Sequence, residues 1–179
     1  MRYVAFAVLV LALAGCASTA TQRSSIAPPA SASPAAAAPS SARPACSGSA
    51  AALTARMKAA GLPIRDVIVY DATTDPNHLL GRQGGYTSKD AWVDPAAVAA
   101  GAGSPGSDPG GIEFGGGIEV FPSVAGAQAR LAELRAFRPP FGDGYDYLAG
   151  PAILRLSTYL TPAQAARFRA AFDTAACTD

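Results

Sequence analysis

"GGGIEVFPSVAGAQARLAELRAFRPP", residues 115–140, changes its apolar period halfway along. Through Ile118-Glu119-Val120, apolar and charged residues alternate, the period of a strand with one buried face. The spacing predicts a strand over Gly117–Phe121, and its glycines point to a bend or bulge. Beyond Pro122 the period becomes helical. Val124, Ala127, Leu131 and Leu134 fall on one stripe, Ser123 is placed to cap the first turn, and Pro139-Pro140 stop the helix.

Outward from this unit the same two patterns recur. "YDYLAG" and "AILRLS" (145–150 and 152–157) read as one interrupted strand or two short ones. "TPAQAARFRAAFD" (161–173) is the clearest helix. Thr161 is the N-cap, Pro162 stands at N1 and Gln164 at N3, a capping-box pattern, with Ala165, Phe168 and Phe172 on the buried face. Towards the N-terminus, "SAAALTARMKAAGLP" (49–63) reads as a helix capped by Ser49, with Leu53, Met57 and Ala60 on one side. Gly61 supplies C′ and Pro63 blocks continuation. "IRDVIVY" (Ile64–Tyr70) is a β-branched strand, and "AWV" (Ala91–Val93) a short edge strand. These elements imply an α+β fold: one small, mostly antiparallel sheet of about four strands, with about three helices packed mainly on one face. The strand–helix–strand run from Gly117 to Leu156 is compatible with a right-handed parallel crossover.

The first 45 residues differ in kind. Met1-Arg2 is followed by twelve apolar residues, Tyr3–Ala14, too few to cross a bilayer as a helix but suited to the core of a secretory signal peptide. Leu13-Ala14-Gly15-Cys16 then resembles the lipobox of bacterial lipoproteins. That resemblance implies a signal peptide over residues 1–15, a diacylglyceryl group on the Cys16 thiol and cleavage before it. Two or more acyl chains give a stable anchor, so the implied location is the extracytoplasmic face of a cell membrane, held by lipid. Residues 17–45 are almost entirely Ala, Ser, Pro and Thr, which cannot bury enough apolar surface to order. They read as a tether with a reach on the order of 30 Å as a coil.

Residues 46–179 form a single domain with eleven basic and thirteen acidic residues, a net charge of −2. No basic footprint for nucleic acid is present. With Cys16 assigned to lipid, Cys46 and Cys177 remain as an even pair that brackets the domain. In an oxidising compartment these two are expected to form a disulfide, worth at most about 5 kcal/mol in the chain-entropy model. Metal ligation would need further ligands near them, and the spacing offers none.

The least generic segment is "YDATTDPNHLLGRQGGYTSKDAWVD", Tyr70–Asp94, a long connection carrying Asp71, Asp75, Asn77, His78, Arg82, Tyr86, Trp92 and Asp94. Together with "GGGIEVF" and "LTPAQAARF" it resembles small bacterial cell-surface lipoproteins of unassigned function, a likeness that transfers no catalytic residue. Asp71, Asp75 and Asn77 offer oxygen ligands for calcium. However, the spacing misses the EF-hand loop, and Asp75-Pro76-Asn77 equally reads as a turn. Arg82, between glycines, suits either an anion or a structural pair with Asp71 or Asp75. Tyr86 and Trp92 suit either a pocket or the core beneath the loop. His78 is the only histidine and has no nucleophile elbow beside it, and Glu113 with Glu119 form at most a distant carboxylate pair. No phosphate loop appears in "GAGSPGSDPGG" (101–111). "FGDGYDY" (141–147) joins acids to aromatics, as both sugar-binding surfaces and ordinary turns do.

The sequence therefore implies a non-catalytic binding or interaction module on a lipid anchor, without cofactor or metal. It would meet an envelope protein through the loop bearing Asp75, Asn77, Arg82, Tyr86, Trp92 and Asp94. The alternative is a small-molecule or calcium receptor using that loop, and a cell-envelope hydrolase comes third.

Overall fold

The computed structural model describes residues 48–103, 107–108, 110–137 and 144–177. Cys16, the tether and Cys46 lie outside the described residues, as does the side chain of Cys177, and with them the expected lipid attachment and the expected disulfide. The elements are α1 Ala50–Ala59, β1 Arg65–Val69, β2 Ser88–Val93, α2 Pro95–Ala99, β3 Gly115–Val120, α3 Val124–Phe137, β4 Tyr145–Ala149, β5 Ala152–Leu156 and α4 Pro162–Cys177. A single 3-10 turn, Ile112–Phe114, leads into β3. All five strands pair antiparallel in the order β1-β2-β3-β5-β4. The chain is thus α+β, with five strands and four helices among the described residues where the sequence suggests about four and three.

The caps form as their residues dictate. Ser49 accepts from the Ala52 N–H, and Asp94 accepts from the Ala96 N–H at 2.7 Å with Pro95 opening α2. At α4 the capping box closes both ways. The Gln164 Oε1 accepts from the Thr161 N–H at 2.7 Å, and the Thr161 Oγ1 accepts from the Gln164 N–H at 3.3 Å.

The sheet separates two cores. On one face Trp92, Ile118, Val120, Leu154 and Leu156 meet Leu53 and Met57 of α1, Ala97 of α2 and Ala165, Phe168 and Phe172 of α4. On the other, Phe121 and Ile153 meet Tyr86 and α3 through Ala127 and Leu131. Helices accordingly lie mainly on one face. Ala60 and Val124, read as members of buried stripes, are exposed, at the C-terminal end of α1 and the first residue of α3.

Two expectations are corrected. "AWV" is not an edge strand but the end of β2, which is paired on both sides; the edge is β1. The charges of Lys89 and Asp90 make the first half of β2 look like loop, yet both are buried. The glycines place no bulge in β3, whose register with β2 runs unbroken from Ser88↔Val120 to Val93↔Gly115. They admit close packing instead: a Cβ on Gly116 would lie 2.7 Å from the Arg155 carbonyl oxygen and 2.7 Å from Cζ2 of Trp92. The bulge is in β1, between Arg65 and Ile68. The strand–helix–strand run does join parallel strands, β3 and β4, although the two are not neighbours. The hairpin at Gly150-Pro151, with Gly150 at φ 54°, folds β5 back into the place between them.

Candidate functional site

The loop from Tyr70 to Thr87 is held by two aspartates. Asp71 Oδ1 accepts from the amides of Thr73 and Thr74 at 2.8 and 2.9 Å and from both threonine hydroxyls. Those bonds bring its carboxyl down to about 2. Asp75 is fully buried and is the hub. Its carboxylate accepts from Lys89 Nζ at 2.8 Å, from the Tyr86 hydroxyl at 2.7 Å, from the Leu79 and Leu80 amides at 2.8 and 3.1 Å, and from the Asn77 amide at 3.3 Å. Burial alone would push this carboxyl up. The bonds from Lys89, Tyr86 and Leu79 outweigh it and hold the carboxyl well below the usual carboxylate range. The same burial, with Asp75 beside it, drives the Tyr86 phenol far above its ordinary value. Lys89 Nζ lies 4.6 Å from the Tyr70 ring centroid and 5.6 Å from that of Tyr86, so two aromatic faces and one carboxylate enclose the ammonium.

The six residues expected to bind therefore serve four different places. Asp75, Asn77 and Tyr86 form the loop hub, where Asn77 Nδ2 donates to the Tyr86 hydroxyl at 3.2 Å. Trp92 is on the opposite face of the sheet, stacked on Phe168 with centroids 6.0 Å apart. Asp94 caps α2. Arg82 is exposed and pairs with neither Asp71 nor Asp75; the carboxylate it was expected to meet is taken by Lys89. A calcium ion at Asp75 would have to displace five donors. Among the described residues no three His, Cys, Asp or Glu side chains converge on one point. His78 is exposed, with φ 53°.

A second polar system lies on the same face of the sheet, beneath α3. Glu119, 2 % exposed, accepts from Arg130 Nε of α3 and from Arg155 Nη1 of β5, both at 3.2 Å. Burial alone would lower the Arg130 guanidinium; Glu119, helped by Glu133, more than reverses this and raises it. Register explains the row: Gly117 faces Arg155 on β5, and Arg155 faces Asp146 on β4. Arg155 Nε stands 3.8 Å from Asp146 Oδ1, an ion-pair distance.

Arg155 and Asp146 also line a cleft of about 320 Å³. Ile112 of the 3-10 turn and Leu134 and Phe137 of α3 supply its apolar wall. Phe137 stands 67 % exposed. Ser157, another lining residue, is already engaged: its hydroxyl donates to the Glu113 carbonyl at 2.6 Å and accepts from the Tyr159 amide at 3.1 Å. Arg155 Nε is buried and makes no hydrogen bond. Such a cleft can hold a small ligand by apolar contact and one directed polar bond. Its lining pairs no nucleophile with a base, and His78 is not among the lining residues.

The sequence reading missed Arg155, Arg130 and Leu134 as site residues. One signal was available: Arg155 is a lone charge inside the apolar strand "AILRLS", and a charge there must be paired on burial. The likeness of the remaining residues to one site depends on four separate elements meeting, which no local pattern records. No protein-family model, curated protein or solved structure matches this chain.

Proposed function

We propose that this chain is a lipid-anchored, extracytoplasmic binding module without catalysis, and that it takes a small ligand in the cleft between α3 and the β4–β5 hairpin. One observation carries the reading. Arg155 Nε–H, buried beside an apolar wall, makes no hydrogen bond, the Asp146 carboxylate standing 3.8 Å away. Buried donors are normally satisfied, so an acceptor from a ligand suits it. The class of ligand follows: a compact apolar body against Ile112, Leu134 and Phe137, carrying a carbonyl, carboxylate or hydroxyl oxygen towards Arg155. The volume is near the lower end of small-molecule sites. The lipobox at Leu13–Cys16 and the Ala/Ser/Pro tether support the location, and no helix among the described residues is long and apolar enough to cross a membrane.

The test is calorimetry of the full chain against a panel of short-chain and aromatic carboxylates and amides. Leu134→Trp, which adds bulk at the cleft's apolar wall, and Arg155→Met are the comparison variants. A ligand of the wild-type chain should lose at least about tenfold in affinity in both, roughly 1.4 kcal/mol. Undiminished binding by folded Leu134→Trp would exclude the cleft. Location is tested separately: Cys16→Ser should move the chain from membrane to soluble fractions.

A further inference from the structure

α1 is joined to β2 by two polar contacts. The first is ordinary: the Ala50 N–H donates to Ser88 Oγ at 2.9 Å. The second is not. Asp90 is fully buried, and Thr54 of α1 is 2 % exposed. Asp90 Oδ1 accepts from the Ile118 N–H at 3.1 Å, while Oδ2 makes no hydrogen bond, and neither does Thr54 Oγ1. The Thr54 hydroxyl lies close enough to bear on the titration of the carboxyl, yet outside hydrogen-bond geometry.

No cation compensates this carboxyl among the described residues. On α1, Arg56 donates to the Ala175 carbonyl of α4 and Lys58 is exposed. On α4, Arg167 is exposed and Arg169 pairs with Asp173 at 3.6 Å. Lys89 and Glu119 sit in alternate strand positions and are engaged on the opposite face, with Asp75 and with Arg130 and Arg155. Arg65 and Asp66 of β1 are exposed, and Tyr70 is a neutral phenol that feels the Asp90 charge. Desolvation thus dominates. It lifts the carboxyl to about 6 against the opposing influence of Thr54 and the Ile118 amide.

We propose that the α1–sheet seam is an acid-strengthened latch: α1 docks over Asp90 as the neutral acid, and ionisation of Asp90 loosens it. The sign is fixed by linkage. A carboxyl raised in the folded state makes its contribution in full at low pH, and that contribution falls away as pH rises through the folded-state value. Asp71 and Asp75, both held low, do not titrate in that window. The expected behaviour is therefore opposite to ordinary acid destabilisation between pH 7.5 and 5.

The experiment uses the full chain carrying His78→Gln, which removes its only imidazole. Thermal melts from pH 7.5 to 5 should show Tm rising by roughly 5 °C or more on acidification, and amide exchange in α1 should slow more than in α3. Asp90→Asn should abolish the slope. Thr54→Val, lacking the hydroxyl that opposes the shift, should move the transition to higher pH. A flat or falling Tm on acidification, or an undiminished slope in Asp90→Asn, would overturn the latch. If Asp90→Asn does not fold, the carboxyl ¹³C titration of the unsubstituted residue decides. A midpoint near 6 supports the latch, and one below about 4.5 overturns it.

Discussion

The two faces of the sheet are built on opposite plans. The face under α1, α2 and α4 is a hydrocarbon seam, with Trp92, Phe168, Phe172, Ile118 and Leu154 all nearly inaccessible, the carboxyl of Asp90 within it and that of Asp94 capping α2. The face under the loop and α3 has a small apolar cluster surrounded by ion pairs: Lys89 with Asp75, and Glu119 with Arg130 and Arg155. Apolar burial is non-directional and scales with area, so the first face supplies most of the cohesion. Ion pairs are directional and specify geometry more than they stabilise. The difference teaches that the fold and the candidate site are maintained by different physics on the two sides of one layer.

Removing the central piece of the first face should have the largest effect. Trp92→Ala opens a cavity between β3 and Phe168 and should cost about 3–5 kcal/mol, read as a lowered denaturant midpoint. Breaking the loop hub comes next. Lys89→Met strands Asp75 without its cation and should cost about 3 kcal/mol, the low end for a broken buried pair, because Tyr86 and three amides still hold the carboxylate. Restoring balance with Asp75→Asn in the same chain should return part of that loss. If the double variant is no better than Lys89→Met, the pair is not a coupled unit. Arg82→Ala, a few residues away but exposed, should change stability by less than about 0.5 kcal/mol in the same titration. Thr161→Ala falls between these, at about 1 kcal/mol, as loss of an N-cap; it should leave the cleft's ligand affinity unchanged.

Legibility in the sequence divides along the same line. The first face was readable because it is periodic. Leu53 and Met57, and Ala165, Phe168 and Phe172, repeat at helical spacing, and Ser49 and Thr161-Gln164 announce the helix starts. The second face was not, because ion pairing is a matter of register. Whether Asp75 meets Arg82 or Lys89 depends on Tyr70 and Lys89 being brought side by side by strand pairing, not on distance along the chain. Position Tyr86 was legible as an aromatic beneath the loop, but its hydroxyl as the partner of Asp75 was not. The cleft draws on residues from 112 to 158, and only the order β3-β5-β4 assembles them.

The bulge in β1 has a bearing on crowding. Wherever copies of a chain meet at high local concentration, an open strand invites intermolecular pairing. β1 offers five residues, a break in register between Arg65 and Ile68, and Asp66 at φ 47°, which turns its backbone groups out of line. Val69 remains 61 % exposed beside it. Short length, an irregular ladder and flanking charge are the features by which natural sheets keep their edges from joining. This edge is thereby guarded against joining the edge of another copy.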